Sequence, residues 1–256
     1  MKNNLCYKCG AVATSKEHVP PRCLFPDYKD TGTNLYRKNL LTVPSCDVHN
    51  SQKTNDDEFL MISLAGIIGN NVVGFMHNQS KVRRALDKKG NDFIKRVVIR
   101  AKPHVIESKS GVRFHVLQGS ADYHRLVKCI EHIAYGLYFL EYNEVFKGKC
   151  NMLLGFINYY NDHTEKMKVW CREMYQHEGK SWDMKGSVPE VFKYQFGPVD
   201  QHGLIPLCMT FYDGAQVYVS FHREGVPEPF DLGGELMKSG VKTIVRIDDD
   251  NFLGFN

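Results

Sequence analysis

Two short segments near the amino terminus carry pairs of metal-binding side chains with the same internal spacing. Cys6 and Cys9 are three positions apart, and so are Cys46 and His49. Three thiolates and one imidazole complete a closed tetrahedral shell, which suits structural zinc. The segment between the two pairs is polar and rich in turn-forming residues, so it cannot bury much apolar surface alone. We therefore predict a structural Zn²⁺ that replaces the missing hydrophobic core of this segment.

Further side chains with catalytic potential lie inside this segment and directly after it. Glu17 and His18 place a carboxylate next to a base that titrates near neutral pH, and the sequence continues Val19-Pro20-Pro21. Two prolines restrict the backbone to extended and turning conformations, which would hold His18 in one orientation. Asn50 follows the second metal-binding pair. The alternatives are a surface pair in a loop for Glu17 and His18, and a helix cap for Asn50.

Taken in order, these residues resemble the HNH endonuclease motif. The resemblance consists of Cys-x2-Cys at residues 6–9, Glu-His-x-Pro-Pro at 17–21, Asn39-Leu40 shortly before Cys46, and Asn50-x2-Lys53. It covers roughly the first quarter of the chain. Two positions depart from the family pattern. The second pair is Cys-x2-His, where members with a zinc site usually have Cys-x2-Cys, and Asn50 stands where many members have His.

The resemblance implies a ββα-metal fold, in which two short strands and a helix surround one catalytic divalent ion. Glu17 and Asn50 would each supply a hard oxygen ligand, which together with water and phosphate suits Mg²⁺ or Mn²⁺. His18 would be the general base that takes a proton from the attacking water. By the same resemblance Asn39 orients His18, with Asn34 as a rival for that role, and cleavage leaves 5′-phosphate and 3′-hydroxyl ends.

The composition is that of an ordinary globular protein with a mild positive charge. The chain has 256 residues, a formal net charge of +4 and 43% hydrophobic residues. This charge permits nucleic-acid binding without requiring it. No apolar run approaches the roughly 18 residues of a membrane span, and the amino terminus has no apolar signal core. We expect a cytoplasmic protein with reduced cysteines and no membrane partner.

The densest basic stretch of the chain follows the cysteine-rich segment. A solvated helix face explains such a cluster as well as a phosphate-contacting surface does. DNA is the expected partner under the second interpretation. The predicted contacts to nucleic acid are then Lys53, Lys81, Arg83, Arg84, Lys88 and Lys89.

The hydrophobic pattern predicts an α+β protein in three parts. Residues 1–62 are expected to form the ββα-metal module with its zinc site, and 63–95 a basic helical connector. Residues 96–256 are expected to form an α+β domain with a mostly antiparallel sheet. In this third part, a long amphipathic helix is predicted to be capped by Ser120 and to be ended by Gly148, and Asp213-Gly214 is predicted to join two strands.

These features favour a metal-dependent HNH endonuclease that hydrolyses DNA phosphodiester bonds. The alternative from a different class is a zinc-stabilised nucleic-acid-binding protein without catalysis. A third hypothesis is a nuclease whose carboxy-terminal domain senses a regulatory ligand or protein partner. Cutting both strands with one site per chain would favour a homodimer. The sequence leaves the choice between DNA and RNA, and between these alternatives, open.

Overall fold

The structure is a computed structural model that describes residues 4–33, 35–50, 54–89, 98–107, 109–111, 113–226, 235, 239–246 and 252–255. Its helices accompany strand pairs that are all antiparallel within these ranges, which confirms the predicted α+β class. The chain divides into two units, Met1–Val145 and Phe146–Asn256. This division lies well beyond residue 95, where the sequence pattern places the start of the last domain. None of the described helices has the length and apolar character needed to cross a membrane.

The first unit combines two small antiparallel hairpins with six helices in its described part. Its strands are β1 (Ser15–His18), β2 (Thr42–Ser45), β3 (Val98–Glu107) and β4 (Arg113–Ala121). Its helices are α1 (Tyr28–Thr31), α2 (Asp47–Asn50), α3 (Thr54–Ala65), α4 (Val72–His77), α5 (Arg83–Lys89) and α6 (Tyr123–Tyr142). A π-helical segment, Asn78–Val82, joins α4 to α5. Strand β1 pairs with β2, and β3 pairs with β4.

Helix α6 supplies much of the apolar core of this unit. Its Ile130 and Leu137 are fully buried, as is Phe59 on α3. An ion pair at 2.8 Å between Arg125 of α6 and Asp56 of α3 holds the two helices at one end. These contacts explain why α6 belongs to the amino-terminal unit although it lies far along the chain.

Both ends of α6 differ from the ends predicted from the sequence. Ser120 is part of β4, so the helix is capped instead by Asp122, whose carboxylate accepts a hydrogen bond of 3.1 Å from the backbone N–H of Arg125. The helix ends at Asn143, which has a left-handed φ of 54°, and does not continue towards Gly148. Asparagine tolerates this conformation, which commonly terminates helices.

The second unit is built on one five-stranded antiparallel sheet. Its strands are β5 (Gly148–Leu154), β6 (Lys185–Val188), β7 (Phe192–Phe196), β8 (Leu204–Phe211) and β9 (Ala215–Arg223), in the spatial order β5-β9-β8-β7-β6. Helix α7 (Asp162–Glu178) lies in the same unit, as does a separate pair of strands, β10 (Thr243–Arg246) and β11 (Phe252–Phe255). Met209, Val217 and Phe221 are fully buried in the core of the large sheet.

The turn between β8 and β9 confirms the predicted hairpin, with a shift of one residue. Tyr212 and Asp213 have φ values of 47° and 57°, and the N–H of Gly214 donates to the carbonyl of Phe211 at 3.2 Å. Positive φ at both central residues is the signature of a type I′ turn. The central pair is therefore Tyr212-Asp213, while Gly214 occupies the last position of the turn.

Candidate functional site

The four predicted zinc ligands meet at one point beside the β1–β2 hairpin. Cys9 Sγ lies 3.8 Å from Cys46 Sγ. His49 Nδ1 lies 3.5 Å from Cys6 Sγ and 3.3 Å from Cys46 Sγ. All four ligand atoms are within 4.8 Å of one another. The segment from residue 6 to residue 49 thus closes on a Cys3His cluster, the name used below for Cys6, Cys9, Cys46 and His49.

The spacing within the Cys3His cluster fits a tetrahedral metal ion. Zn–S bonds of about 2.3 Å and Zn–N bonds of about 2.0 Å imply separations of about 3.8 Å between sulfurs and about 3.5 Å between sulfur and nitrogen. The three distances given above lie close to these values. The cluster can therefore hold a metal ion such as zinc, with four protein ligands and no open coordination position.

Backbone hydrogen bonds prepare Cys6 for metal binding. Burial by itself raises the pKa of the Cys6 thiol, but backbone N–H groups of Cys46, Cys9 and Lys8 outweigh it and lower this pKa to about 6. The thiolate is the form that binds metals. Backbone N–H groups from both metal-binding pairs thus stabilise the Cys6 thiolate.

Helix α6 packs beside the Cys3His cluster. The hydroxyl of Tyr7, a fully buried residue, lies 3.3 Å from Nδ1 of His132. The His132 ring is 6.1 Å from the ring of His49, centroid to centroid. Lys8 also forms an ion pair of 3.1 Å with Glu131. The cluster is therefore attached to the core of the first unit through α6.

The two predicted oxygen ligands flank the same face of the β1–β2 hairpin. Ser15 and Glu17 are two residues apart in β1, so their side chains share one face. The amide nitrogen of Asn50, in α2, donates to Ser15 Oγ at 2.8 Å. Ser45 of β2 donates to Glu17 Oε2 at 3.4 Å. Asn50 is thereby bonded to Ser15 of β1 and Glu17 to Ser45 of β2, two residues that face each other across the strand pair.

His18 is the last residue of β1 and is partly buried. Burial lowers the pKa of its imidazole, the charge of Arg22 lowers it further, and Glu17 opposes this. Its ring is therefore neutral at neutral pH, as a general base requires. Among the described residues, no hydrogen bond joins His18 to Asn39, which is exposed and has a φ of 52°. The orienting role of Asn39 stays a prediction, and Asn34 lies outside the described residues.

A small cavity of about 20 Å³ lies beside Glu17 and His18. This volume accommodates about one water molecule, so a phosphodiester would have to bind at its opening. Side chains from β1, α3 and α6 line it, and the charged or titratable ones are Glu17, His18, Asp56, Asp57, Lys128 and His132. The spacing of residues in the sequence does not indicate that Asp57 and His132 lie near His18. Asp57 has the position of an acid that stabilises the amino-terminal end of a helix, and His132 is more than 100 residues from His18 in the sequence.

Two of the predicted nucleic-acid contacts have partners inside the protein. The ammonium group of Lys81 donates to the carbonyl of Cys23 at 3.0 Å, and burial lowers the pKa of this lysine. Arg84 forms an ion pair of 2.6 Å with Asp30, whose side chain is only 2% exposed. These two residues therefore contribute to the packing of the α4–α5 region.

The other basic residues of this stretch differ in how they are placed. Arg83 and Lys88 are exposed on α5. Lys53 lies outside the described residues, and for Lys89 only the backbone is described. The described part of the predicted nucleic-acid surface is thus reduced to Arg83 and Lys88, with the exposed part of Arg84.

Comparison with known proteins returns no match: no protein-family model, no curated protein and no solved structure matches this chain. The HNH resemblance therefore stands on the residues of the amino-terminal segment. The structure adds a Cys3His cluster that can hold a metal ion and the hydrogen bonds of Asn50 to Ser15 and of Glu17 to Ser45.

Proposed function

We propose that this protein is a metal-dependent endonuclease of the HNH type that hydrolyses phosphodiester bonds of DNA. The contact between Asn50 and Ser15 carries the proposal. The side-chain amide nitrogen of Asn50 donates to Ser15 Oγ at 2.8 Å, and this hydrogen bond holds the Asn50 side chain against β1. The amide oxygen accepts no hydrogen bond from the described residues. It is therefore available as a metal ligand beside the strand that carries Glu17.

Glu17 and His18 are neighbours in β1 and both line the small cavity, and Asn50 bonds to Ser15 of the same strand. A divalent ion such as Mg²⁺ or Mn²⁺, held by Glu17 and Asn50, would supply positive charge to the scissile phosphate and the leaving oxygen. His18 accepts a proton from the attacking water on a ring nitrogen. This division of roles needs His18 to remain free of metal, because a coordinated nitrogen cannot accept a proton.

The Cys3His cluster has a positioning role in this proposal. His49 is a ligand of the cluster and precedes Asn50 within α2. A metal ion bound there fixes α2 relative to Cys6 and Cys9, whose backbone is bonded to the β1–β2 region through Tyr7 N–H and the carbonyl of Pro44, at 2.9 Å. The position of Asn50 over β1 therefore depends on the cluster.

The test is cleavage of supercoiled plasmid by zinc-loaded protein with Mg²⁺, with Mn²⁺ and without added divalent ion. His18→Ala is expected to reduce the cleavage rate at least about hundredfold, the usual contribution of a general base. Lys16→Ala is the matched control, since Lys16 is exposed on the same strand. A folded, zinc-loaded His18→Ala protein that cleaves like the wild type would refute the base assignment.

A second candidate function is zinc-stabilised nucleic-acid binding without catalysis. The observation that favours it is the imidazole of His18, which no described residue fixes by a hydrogen bond. Catalytic imidazoles are commonly oriented by such a bond. Binding of DNA by the wild-type protein, with no strand cleavage in Mg²⁺ or Mn²⁺, would support this candidate over the endonuclease.

A further inference from the structure

The second unit contains a far larger cavity than the one beside His18. It measures about 340 Å³ and is lined by residues of α7 on one side and of β5, β8 and β9 on the other. Cavities of several hundred Å³ are the size class of small-molecule binding sites. The cavity is partly open to solvent, so a ligand can enter it.

Three aromatic rings form part of the wall of this cavity. The Tyr175 ring lies 5.9 Å from the Trp182 ring and 6.1 Å from the Tyr218 ring, with interplanar angles of 68° and 58°. Steeply inclined rings of this kind can face a common point from different directions. A positively charged nitrogen that lies over the face of such a ring is attracted by the ring's negative face.

A buried glutamine holds two of these rings in place. Gln195 is 4% exposed, and its side-chain oxygen accepts a hydrogen bond from the Tyr175 hydroxyl. Its amide nitrogen donates to the carbonyls of Gly179 and Trp182, each at 2.8 Å. Both hydrogens of the amide are thus used within the protein. The aromatic wall is therefore fixed before a ligand arrives, which reduces the entropy cost of binding.

The charged side chains that line the cavity are all acidic. Glu178 and Asp200 are acidic, and the described lining residues include no Lys, Arg or His. Helix α7 ends at Glu178, so the negative end of its dipole lies on the same side. Asp200 is held in place by two backbone N–H groups, those of His202 and Leu204, at 2.8 Å each. A cation is therefore favoured over an anion.

We propose that this cavity is a binding site for a small organic amine, with an apolar or aromatic body and a positively charged nitrogen. The rings take the body and the charged nitrogen, and Glu178 and Asp200 complement the charge. Phosphorylated or carboxylated ligands are disfavoured by the same two acids. The inference is independent of the endonuclease proposal, because it uses only residues of the second unit.

The test compares three probes that share one ring system and differ in charge. Tryptamine is cationic, tryptophol is neutral and indole-3-acetate is anionic. Isothermal titration of the full chain is expected to show saturable binding of tryptamine, about tenfold tighter than of indole-3-acetate, with tryptophol between them. Absence of saturable binding of tryptamine, or equal affinity for the cation and the anion, would overturn the proposal.

Substitutions locate the binding to this cavity. Glu178→Gln is expected to weaken tryptamine about threefold and to leave tryptophol unchanged. Glu173→Gln is the matched control, an acid of the same helix that does not line the cavity. Ser220→Phe, which fills the cavity from β9, is expected to abolish binding of all three probes. Wild-type affinities in a folded Ser220→Phe protein would place the binding elsewhere and overturn the proposal. If that variant does not fold, equal effects of the two glutamine substitutions overturn it.

Discussion

The hairpin of the first unit and the central hairpin of the second are stabilised by different means. Strand β1 has four residues and no fully buried side chain, whereas β9 has nine residues, most of them buried. Beside β1 lies a Cys3His cluster, and around β9 lies an apolar core. The short polar pair thus lies beside a cluster that can hold a metal ion, whereas the long apolar strand is stabilised by the hydrophobic effect.

The two cavities show the same contrast. The small one beside His18 is surrounded by titratable groups from three elements. The large one in the second unit has a mainly aromatic and aliphatic wall with few charges. The first arrangement is typical of sites that carry out proton transfer on a bound ion or water, and the second of sites that recognise a whole molecule.

Loss of the metal should cause the largest difference in stability between the β1–β2 pair and the β8–β9 pair. We expect Cys46→Ser to lose bound zinc and with it on the order of 10 kcal/mol of metal-binding free energy, because a fourth ligand is missing from a closed site. Hydrogen exchange should then accelerate in β1 and β2 while β8 and β9 remain protected. Native mass spectrometry measures the zinc content. Slow exchange at Ser15–His18 in the zinc-free variant would show that the hairpin does not depend on metal.

A substitution in the apolar core of the second unit is expected to reduce stability without changing the zinc content. Phe221 is fully buried, and its ring lies 4.9 Å from that of Phe146. Phe221→Ala should reduce the free energy of unfolding of the second unit by about 3–5 kcal/mol through the cavity it leaves. Zinc content should stay at the wild-type level. Urea denaturation measures the change, with the partly exposed neighbour Ser220→Ala as the control. A loss below 1 kcal/mol would contradict the packing.

A buried histidine should make the first unit sensitive to acid. Burial lowers the pKa of His77 from 6.5 to about 4, and the charge of Lys81 contributes. Its Nε2 donates to the carbonyl of Cys23 at 3.0 Å. The folded protein therefore takes up this proton less readily than the unfolded chain, so stability falls as the pH drops from 6.5 to 4, by an amount on the order of 3 kcal/mol.

Thermal unfolding as a function of pH measures this sensitivity. His77→Gln keeps a donor for the Cys23 carbonyl and removes the titration, so its stability should vary less between pH 6.5 and pH 4. The exposed His163→Gln serves as the control. An unchanged slope in His77→Gln would exclude His77 as the source.

The smallest expected changes in stability distinguish a basic residue with an internal partner, Lys81, from an exposed one, Lys88. Lys81→Met should cost about 1 kcal/mol of stability, because it removes the hydrogen bond to Cys23. Lys88→Met should leave stability within about 0.5 kcal/mol of the wild type. If Lys88 contacts phosphate, its removal should also reduce the slope of DNA affinity against salt by about one. Unchanged affinity at low salt would remove Lys88 from the DNA surface.

Several elements could be predicted because local sequence specifies them. The amphipathic pattern of α6 and the turn residues between β8 and β9 identify their elements within a few positions. The boundaries were less well specified, because Ser120 and Asp122 are both acceptable helix caps. Pairing of β4 as far as Ala121 decides between them, and that pairing depends on contacts with β3.

Part of the candidate site could likewise be predicted from the sequence. Equal spacing of Cys6 with Cys9 and of Cys46 with His49 identifies the metal ligands, because each pair must fit one turn of backbone. By contrast, no local pattern marks Asp57 and His132 as neighbours of His18. Their approach follows from the packing of α3 and α6.

The sequence by itself determined the α+β class, the four ligands of the Cys3His cluster and the hairpin at Tyr212–Gly214, since these follow from spacing and backbone preference. Only the tertiary structure decided that α6 belongs with the amino-terminal elements, that Lys81 and Arg84 have internal partners, and that Gln195 fixes an aromatic wall around a cavity. These depend on contacts between residues distant in the chain, and such contacts are set by how complete elements pack together.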